Sequence, residues 1–94
     1  MMSVIPIDLS KVKKENIDRE ILRVGIIAEL DAINLYEQMA EYTQNNDIKK
    51  VILDIAREEK THVGEFQTLL LQLDKQQVKE LEEGRKEVEK ELKE

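Results

Sequence analysis

The chain has 94 residues, of which 38% are charged, and its formal net charge at pH 7 is −6. This length suits one small domain with a thin hydrophobic core, so oligomerisation is expected. The acidic balance argues against nucleic-acid binding, and the absence of cysteine excludes disulfides and thiolate metal sites. No apolar run is long enough to span a membrane and the N-terminus does not resemble a signal peptide, so we expect a soluble, cytoplasmic protein.

The predicted fold is all-α. The sequence contains one proline and three glycines and is rich in Glu, Lys, Leu and Ile, a composition that favours helix almost throughout. Residues 1–13 are predicted to be extended, because Pro6 blocks an early helix. A first helix is predicted from about Lys14 to Thr43, where the polar run 44–47 interrupts the pattern.

A second helix is predicted from about Ile48 to Leu73, with Asn46 or Asp47 as its N-cap. Residues 74–94 are predicted to form a mostly charged, peripheral C-terminal helix that begins after Asp74. The first two helices are long and closely connected, so residues 14–73 should fold as an antiparallel hairpin. Two helices alone leave much apolar surface in water, and dimerisation into a four-helix bundle would cover it.

Both hairpin helices have an apolar stripe with acidic residues near its middle. On the second helix, steps of three or four residues place a carboxylate and an imidazole at positions that should be core. The stripe residues of the first helix are Leu22, Ile26, Glu29, Ile33, Tyr36 and Ala40. Those of the second are Ile48, Ile52, Ile55, Glu59, His62, Phe66, Leu69 and Leu73.

Buried carboxylates need compensation, because an unpaired one costs several kcal/mol. Pairing with Lys or Arg would compensate Glu29 and Glu59, but neither stripe contains one, and the flanking apolar residues argue against solvation. A cation bound by Glu29, Glu59 and His62 would satisfy all three. The alternative to a bound cation is that these three residues form a polar patch at a helix–helix contact. Tyr36, two turns after Glu29, is either a core residue or a neighbour of the site.

The spacing of Glu59 and His62, at i and i+3, allows both side chains to reach one ion. Carboxylates with imidazole suit iron, manganese or zinc better than magnesium or calcium. Ferritin-like di-iron bundles use one Glu from each of two helices and a Glu-x-x-His motif from each of the other two. One chain supplies half of this set. The sequence therefore predicts that a homodimer assembles a di-iron centre and that its four carboxylates balance two divalent irons.

At residues 27–36 and 57–62 the sequence resembles the encapsulated ferritins, two-helix ferritin-like proteins associated with encapsulin shells. The resemblance covers residues 21–73. The same residues also resemble the ferritin-like domain of archaeal encapsulins. It implies that Glu29, Glu59 and His62 are iron ligands and that Tyr36 hydrogen-bonds near them. It further implies a ferroxidase that oxidises Fe(II) with dioxygen, dimers that join into a decameric ring, and iron storage inside the shell.

Two features depart from that family pattern. Some members have further acids around the first ligand that form a metal entry site; here Ala28 precedes Glu29, so Asp31 is the candidate entry-site ligand, or simply a solvated residue. Residues 85–94 do not resemble a shell-docking peptide, which suits a domain fused to a shell protein or one that docks differently. The alternatives to a ferroxidase are a non-catalytic helical assembly or adaptor module, with a structural metal or none, and a peroxide-consuming enzyme.

Overall fold

The computed structural model describes residues 8–93. Two short 3-10 turns, Leu9–Lys11 and Lys14–Asn16, precede three helices. The helices are α1 (Ile17–Tyr42), α2 (Asn46–Leu73) and α3 (Lys75–Lys93). The described part of the chain contains no strand, so the all-α prediction is confirmed.

The N-terminal boundary differs from the prediction. Residues 8–13 were expected to be extended, yet they include the 3-10 turn Leu9–Lys11, in which the Asp8 carboxylate accepts a hydrogen bond of 3.1 Å from the Ser10 backbone N–H. The first α-helix begins at Ile17 rather than Lys14, because residues 14–16 form the tighter turn. The rest of the predicted extended segment, residues 1–7, lies outside the described residues.

The cap of α2 also differs from the prediction. Neither Asn46 nor Asp47 is the N-cap, because the helix already begins at Asn46. Asn45 has this role: its side-chain oxygen accepts hydrogen bonds from the backbone N–H groups of Asp47 and Ile48, at 3.0 and 3.1 Å. The side chain thereby satisfies two donors that have no partner within the helix.

Helices α1 and α2 pack as an antiparallel hairpin, as the sequence predicts. The start of α1 meets the end of α2, where Arg23 Nη2 lies 2.9 Å from Asp74 Oδ2. Towards the other end, Lys60 Nζ lies 3.1 Å from Glu37 Oε2. The hairpin thus brings the middle of α1, which contains Glu29, against the middle of α2.

The hydrophobic core of the described residues is thin. Its buried apolar side chains are Ile33, Ala40, Ala56 and Leu70. Larger apolar residues on all three helices stay exposed, including Leu30 at 50% and Val51 at 59%. The radius of gyration is 16.8 Å, whereas a compact domain of this length has a radius of about 12 Å. The isolated chain therefore leaves apolar surface that a partner would cover.

Asp74 forms the junction between α2 and α3. It is the only residue between them, and it is 8% exposed. Its Oδ1 accepts a 3.0 Å hydrogen bond from the Gln77 backbone N–H, and its Oδ2 accepts one from Arg23. The Gln77 hydrogen bond, with a smaller contribution from Arg23, lowers the pKa of the Asp74 carboxyl below its ordinary value. The Asp74 backbone N–H donates to Leu70 O at 2.9 Å, so it is not available for the return bond of a full capping box.

Candidate metal centre

Glu29, Glu59 and His62 converge in the middle of the hairpin. Glu29 lies near the centre of α1, and the other two lie one turn apart on α2. His62 Nδ1 is 3.3 Å from Glu59 Oε2 and 3.5 Å from Glu29 Oε2. One possible ligand atom from each of the three residues lies within 4.8 Å of the other two. The structure thus brings together the three ligands predicted from the sequence, and their role in binding metal stays a prediction.

The two carboxylates differ from ordinary surface acids in their burial. The Glu29 and Glu59 side chains are 19% and 18% exposed, whereas the His62 side chain is 45% exposed. Within residues 8–93, neither carboxylate pairs with a lysine or arginine. Glu29 Oε2 is buried and has no hydrogen-bond partner in the described part of the chain. A buried acceptor without a partner costs about 1–3 kcal/mol, and more if it is charged.

A metal cation would remove this cost, and the residues fit one. Two ligand atoms about 2.1 Å from one ion in tetrahedral arrangement lie about 3.4 Å apart. The distances from His62 Nδ1 to Glu59 and Glu29, 3.3 and 3.5 Å, agree with that spacing. The donor set of two carboxylates and one imidazole suits iron, manganese or zinc. Without a metal, a weak hydrogen bond between His62 and Glu59 explains one of the two contacts but leaves Glu29 Oε2 unsatisfied.

Tyr36 and Asp31 lie outside this cluster. Tyr36 is partly buried, two turns and therefore about 10 Å along α1 from Glu29. Its hydroxyl makes no hydrogen bond to any of residues 8–93, so its predicted contact near the site is not among the contacts of the described residues. Asp31 follows Glu29 by two residues, which places it about 200° further around the helix. The structure does not bring it to the three candidate ligands.

Sequence reasoning did not single out Gly25, which lies one turn before Glu29 on α1. The ring of Phe66, one turn after His62 on α2, packs directly against this glycine. A Cβ placed on Gly25 would lie 3.0 Å from three atoms of that ring. A glycine inside a helix at the spacing of the apolar stripe is the sequence pattern that would have indicated a close helix–helix contact here.

Residues 20–94 match the family described as Rubrerythrin. The chain belongs to this family. A crystal structure of the encapsulated ferritin domain from Pyrococcus furiosus is similar to it, with a TM-score of 0.82 and 53% sequence identity, covering 96% of this chain and 94% of that one. The predicted resemblance to encapsulated ferritins is therefore confirmed, and the hairpin with its C-terminal helix is a ferritin-like fold.

Two further relatives of this rubrerythrin-family chain are associated with encapsulins by their names. A ferritin-like-encapsulin shell fusion protein of Pyrococcus furiosus is 56% identical over 91 residues, which are 94% of this chain and 26% of the relative. The encapsulin nanocompartment cargo protein EncC of Myxococcus xanthus is 38% identical over 63 residues, which are 67% of this chain and 48% of the relative. The chain thus spans about a quarter and about half of the lengths of these two relatives. Among residues 8–93, no helix combines the length and hydrophobicity needed to cross a membrane.

Proposed function

We propose that this chain is a ferroxidase subunit whose di-iron site forms where two copies meet. The observation that supports this most strongly is the convergence of Glu29, Glu59 and His62, in which a buried oxygen of Glu29 has no hydrogen-bond partner among the described residues. A protein maintains such an uncompensated acid when a cation normally compensates it. Membership of the rubrerythrin family makes iron the expected cation.

The need for two copies follows from the number of ligands and from the shape of the chain. One chain offers two carboxylates and one imidazole, too few for the ligand set of a ferritin-like di-iron centre. Two chains offer twice that number, and their carboxylates neutralise the charge of two divalent ions. The exposed apolar residues and the thin core also favour a dimer that completes a four-helix bundle.

Each ligand has a distinct role in the proposed reaction. Glu59 would bridge the two ions, and Glu29 and His62 would each bind one of them. The bound iron would be the substrate: two Fe(II) ions each give one electron to dioxygen and become Fe(III), while dioxygen takes up two protons and leaves as hydrogen peroxide. The negative charge of Glu29 and Glu59 stabilises the ferric ion more than the ferrous ion and so favours oxidation. His62 must be deprotonated at the ligating nitrogen. The partly buried apolar residues of the stripe limit the access of water: Leu22, Ile26, Ile52, Ile55 and Phe66.

We further propose that the dimers join into a decameric ring inside an encapsulin compartment in the cytoplasm, where the oxidised iron is stored. This rests on the relatives, one described as a fusion to an encapsulin shell and the other as an encapsulin cargo protein. Native mass spectrometry with and without Fe(II) tests the assembly. Two irons per dimer and a metal-dependent oligomer are expected, and iron binding by single chains would contradict the shared site.

The enzymatic proposal is tested by anaerobic Fe(II) titration followed by exposure to air, with the ferric-oxo absorbance recorded over time. We expect the wild-type protein to oxidise Fe(II) much faster than buffer does. The double variant Glu59→Ala, His62→Ala should lose this acceleration. Glu58→Ala is the matched control, because the Glu58 side chain is 54% exposed and its carboxylate contacts Arg57 on the surface.

An oxidation rate that is the same in the double variant and the wild type would refute the assignment of these ligands. Metal binding without faster oxidation would instead identify a structural metal, as in an assembly or adaptor module. A preference for hydrogen peroxide over dioxygen would identify a peroxide-consuming enzyme.

A further inference from the structure

The contact between Gly25 and Phe66 lies directly beside the candidate metal centre. Gly25 is one turn before Glu29, and Phe66 is one turn after His62, so the contact and the cluster occupy neighbouring levels of the antiparallel hairpin. Three atoms of the phenyl ring, Cδ1, Cε1 and Cζ, lie 3.0 Å from where a Cβ of residue 25 would be. The ring therefore fills the space that any other residue at position 25 would need.

The distance between α1 and α2 affects one candidate ligand more than the others. Glu59 and His62 are both on α2, and their separation depends on the geometry of a single helix. Glu29 is on α1, and its 3.5 Å distance to His62 Nδ1 depends on how closely the two helices approach. The side chains at a helix crossing set this approach, and small residues allow the backbones to come closer.

We propose that Gly25 and Phe66 are positioning residues that set the helix separation at which Glu29 and His62 can bind the same metal ion. This inference rests on the proposed function, since it assumes that the cluster binds metal. Glycine is less favourable than alanine within a helix, so its presence in α1 has a conformational cost that a close packing contact offsets.

Whether this contact affects the metal site depends on how far a Cβ at position 25 would displace the ring or the helices. A Cβ at position 25 would meet the ring at 3.0 Å, whereas carbon atoms in ordinary contact lie about 3.5–4.0 Å apart. The ring or the helices must therefore give by a few tenths of an ångström. Ligand distances in metal sites are defined to within about 0.2 Å. If the helices take up this displacement, it is as large as that range and changes the distance between Glu29 and His62.

The chain contains a matched control for this experiment. Gly64 lies within α2, two residues from His62, and a Cβ built on it has nothing within 4 Å. Gly25→Ala and Gly64→Ala therefore make the same chemical change in the same secondary structure, each within about one turn of a candidate ligand. They differ in the contact with Phe66.

We suggest measuring Co(II) binding to the full chain by titration, together with the visible ligand-field spectrum, at a temperature where all variants are folded by circular dichroism. Gly25→Ala should weaken Co(II) binding at least about tenfold and alter the spectrum, since displaced supporting residues typically cost 10- to 100-fold in affinity. Gly64→Ala should match the wild type in both. The double variant Gly25→Ala, Phe66→Leu should bind more tightly than Gly25→Ala, because two of the three contacting ring atoms are removed.

The outcomes separate this inference from the proposed function. If the wild type binds Co(II) and Gly25→Ala behaves like Gly64→Ala, the positioning role is refuted while the metal site stands. If Gly25→Ala binds weakly but the double variant binds no more tightly, the ring is not the cause, and the inference is also refuted. If the wild type itself fails to bind Co(II), or binds it as well after removal of Glu59 and His62, the proposed function fails. Should Gly25→Ala not fold, Phe66→Leu alone tests the ring: reduced affinity supports the role and unchanged affinity refutes it.

Discussion

Replacement of Glu29 by glutamine should stabilise the metal-free protein while it weakens metal binding. The change removes a charge and keeps the shape of the side chain. Glu29 Oε2 is buried without a hydrogen-bond partner among the described residues, and an oxygen of Glu59 lies within 4.8 Å of a Glu29 oxygen. Two such charges repel each other by about 3 kcal/mol at an effective dielectric constant of 20, and the unsatisfied acceptor adds to this cost.

Allowing for the remaining exposure of both side chains, we expect the free energy of unfolding of Glu29→Gln to rise by about 1–3 kcal/mol without metal. For a domain of this size that corresponds to a melting temperature at least about 4 °C higher. Thermal unfolding in the presence of EDTA at pH 8, where ordinary histidines are neutral, measures this gain. The same experiment with Co(II) should show a smaller stabilisation by metal in the variant than in the wild type, because one ligand has lost its charge.

Glu37→Gln is the control on the same helix. The Glu37 side chain is 46% exposed and contacts Lys60, so its neutralisation should change the stability by at most about 1 kcal/mol and leave the response to Co(II) unchanged. A loss of stability in metal-free Glu29→Gln would refute the reasoning, since it would mean that the Glu29 charge is already compensated within the protein.

Three further outcomes are expected. Asn45→Ala should lower the free energy of unfolding by about 1 kcal/mol in urea titrations, because two backbone donors at the start of α2 lose their acceptor. Asp74→Asn should lower the free energy of unfolding at pH 7 and make it depend less on pH in the acid range. The pKa of Asp74 is lower in the folded than in the unfolded chain, so the charged carboxylate stabilises the fold at neutral pH. This stabilisation is lost as the pH falls below about 4. Tyr36→Phe should slow stopped-flow Fe(II) oxidation about tenfold with little change in melting temperature, if its hydroxyl contacts the assembled site; an unchanged rate would make Tyr36 an ordinary core residue.

The sequence alone was sufficient to predict the hairpin and the grouping of the candidate ligands. The reason is periodicity: Glu29, Glu59 and His62 interrupt apolar stripes, and two long helices with a short connection can only pack antiparallel. The 3.6-residue repeat fixes which face of its helix each residue lies on. Residues of the two facing stripes that lie at the same level of the hairpin therefore meet.

Details that depend on local backbone geometry were less predictable. The N-cap of α2 proved to be Asn45 rather than one of the two residues after it, because any of several adjacent polar residues can cap a helix and only the exact start selects one. The position of Gly25 on the apolar stripe indicates a close helix–helix contact, but its partner Phe66 was missed because the partner depends on the rotation of one helix against the other. Composition and spacing do not define that rotation.

The junction at Asp74 makes the connection between α2 and α3 intolerant of changes in length. With a single non-helical residue between the helices, the insertion of one more would change the direction in which α3 leaves the hairpin. It would also separate the Gln77 N–H from the carboxylate that Arg23 binds. The three-residue connection between α1 and α2 has no such constraint from a buried charge, so engineered insertions belong there. The Asp74 carboxylate therefore joins the start of α3, through Gln77, to α1, through Arg23.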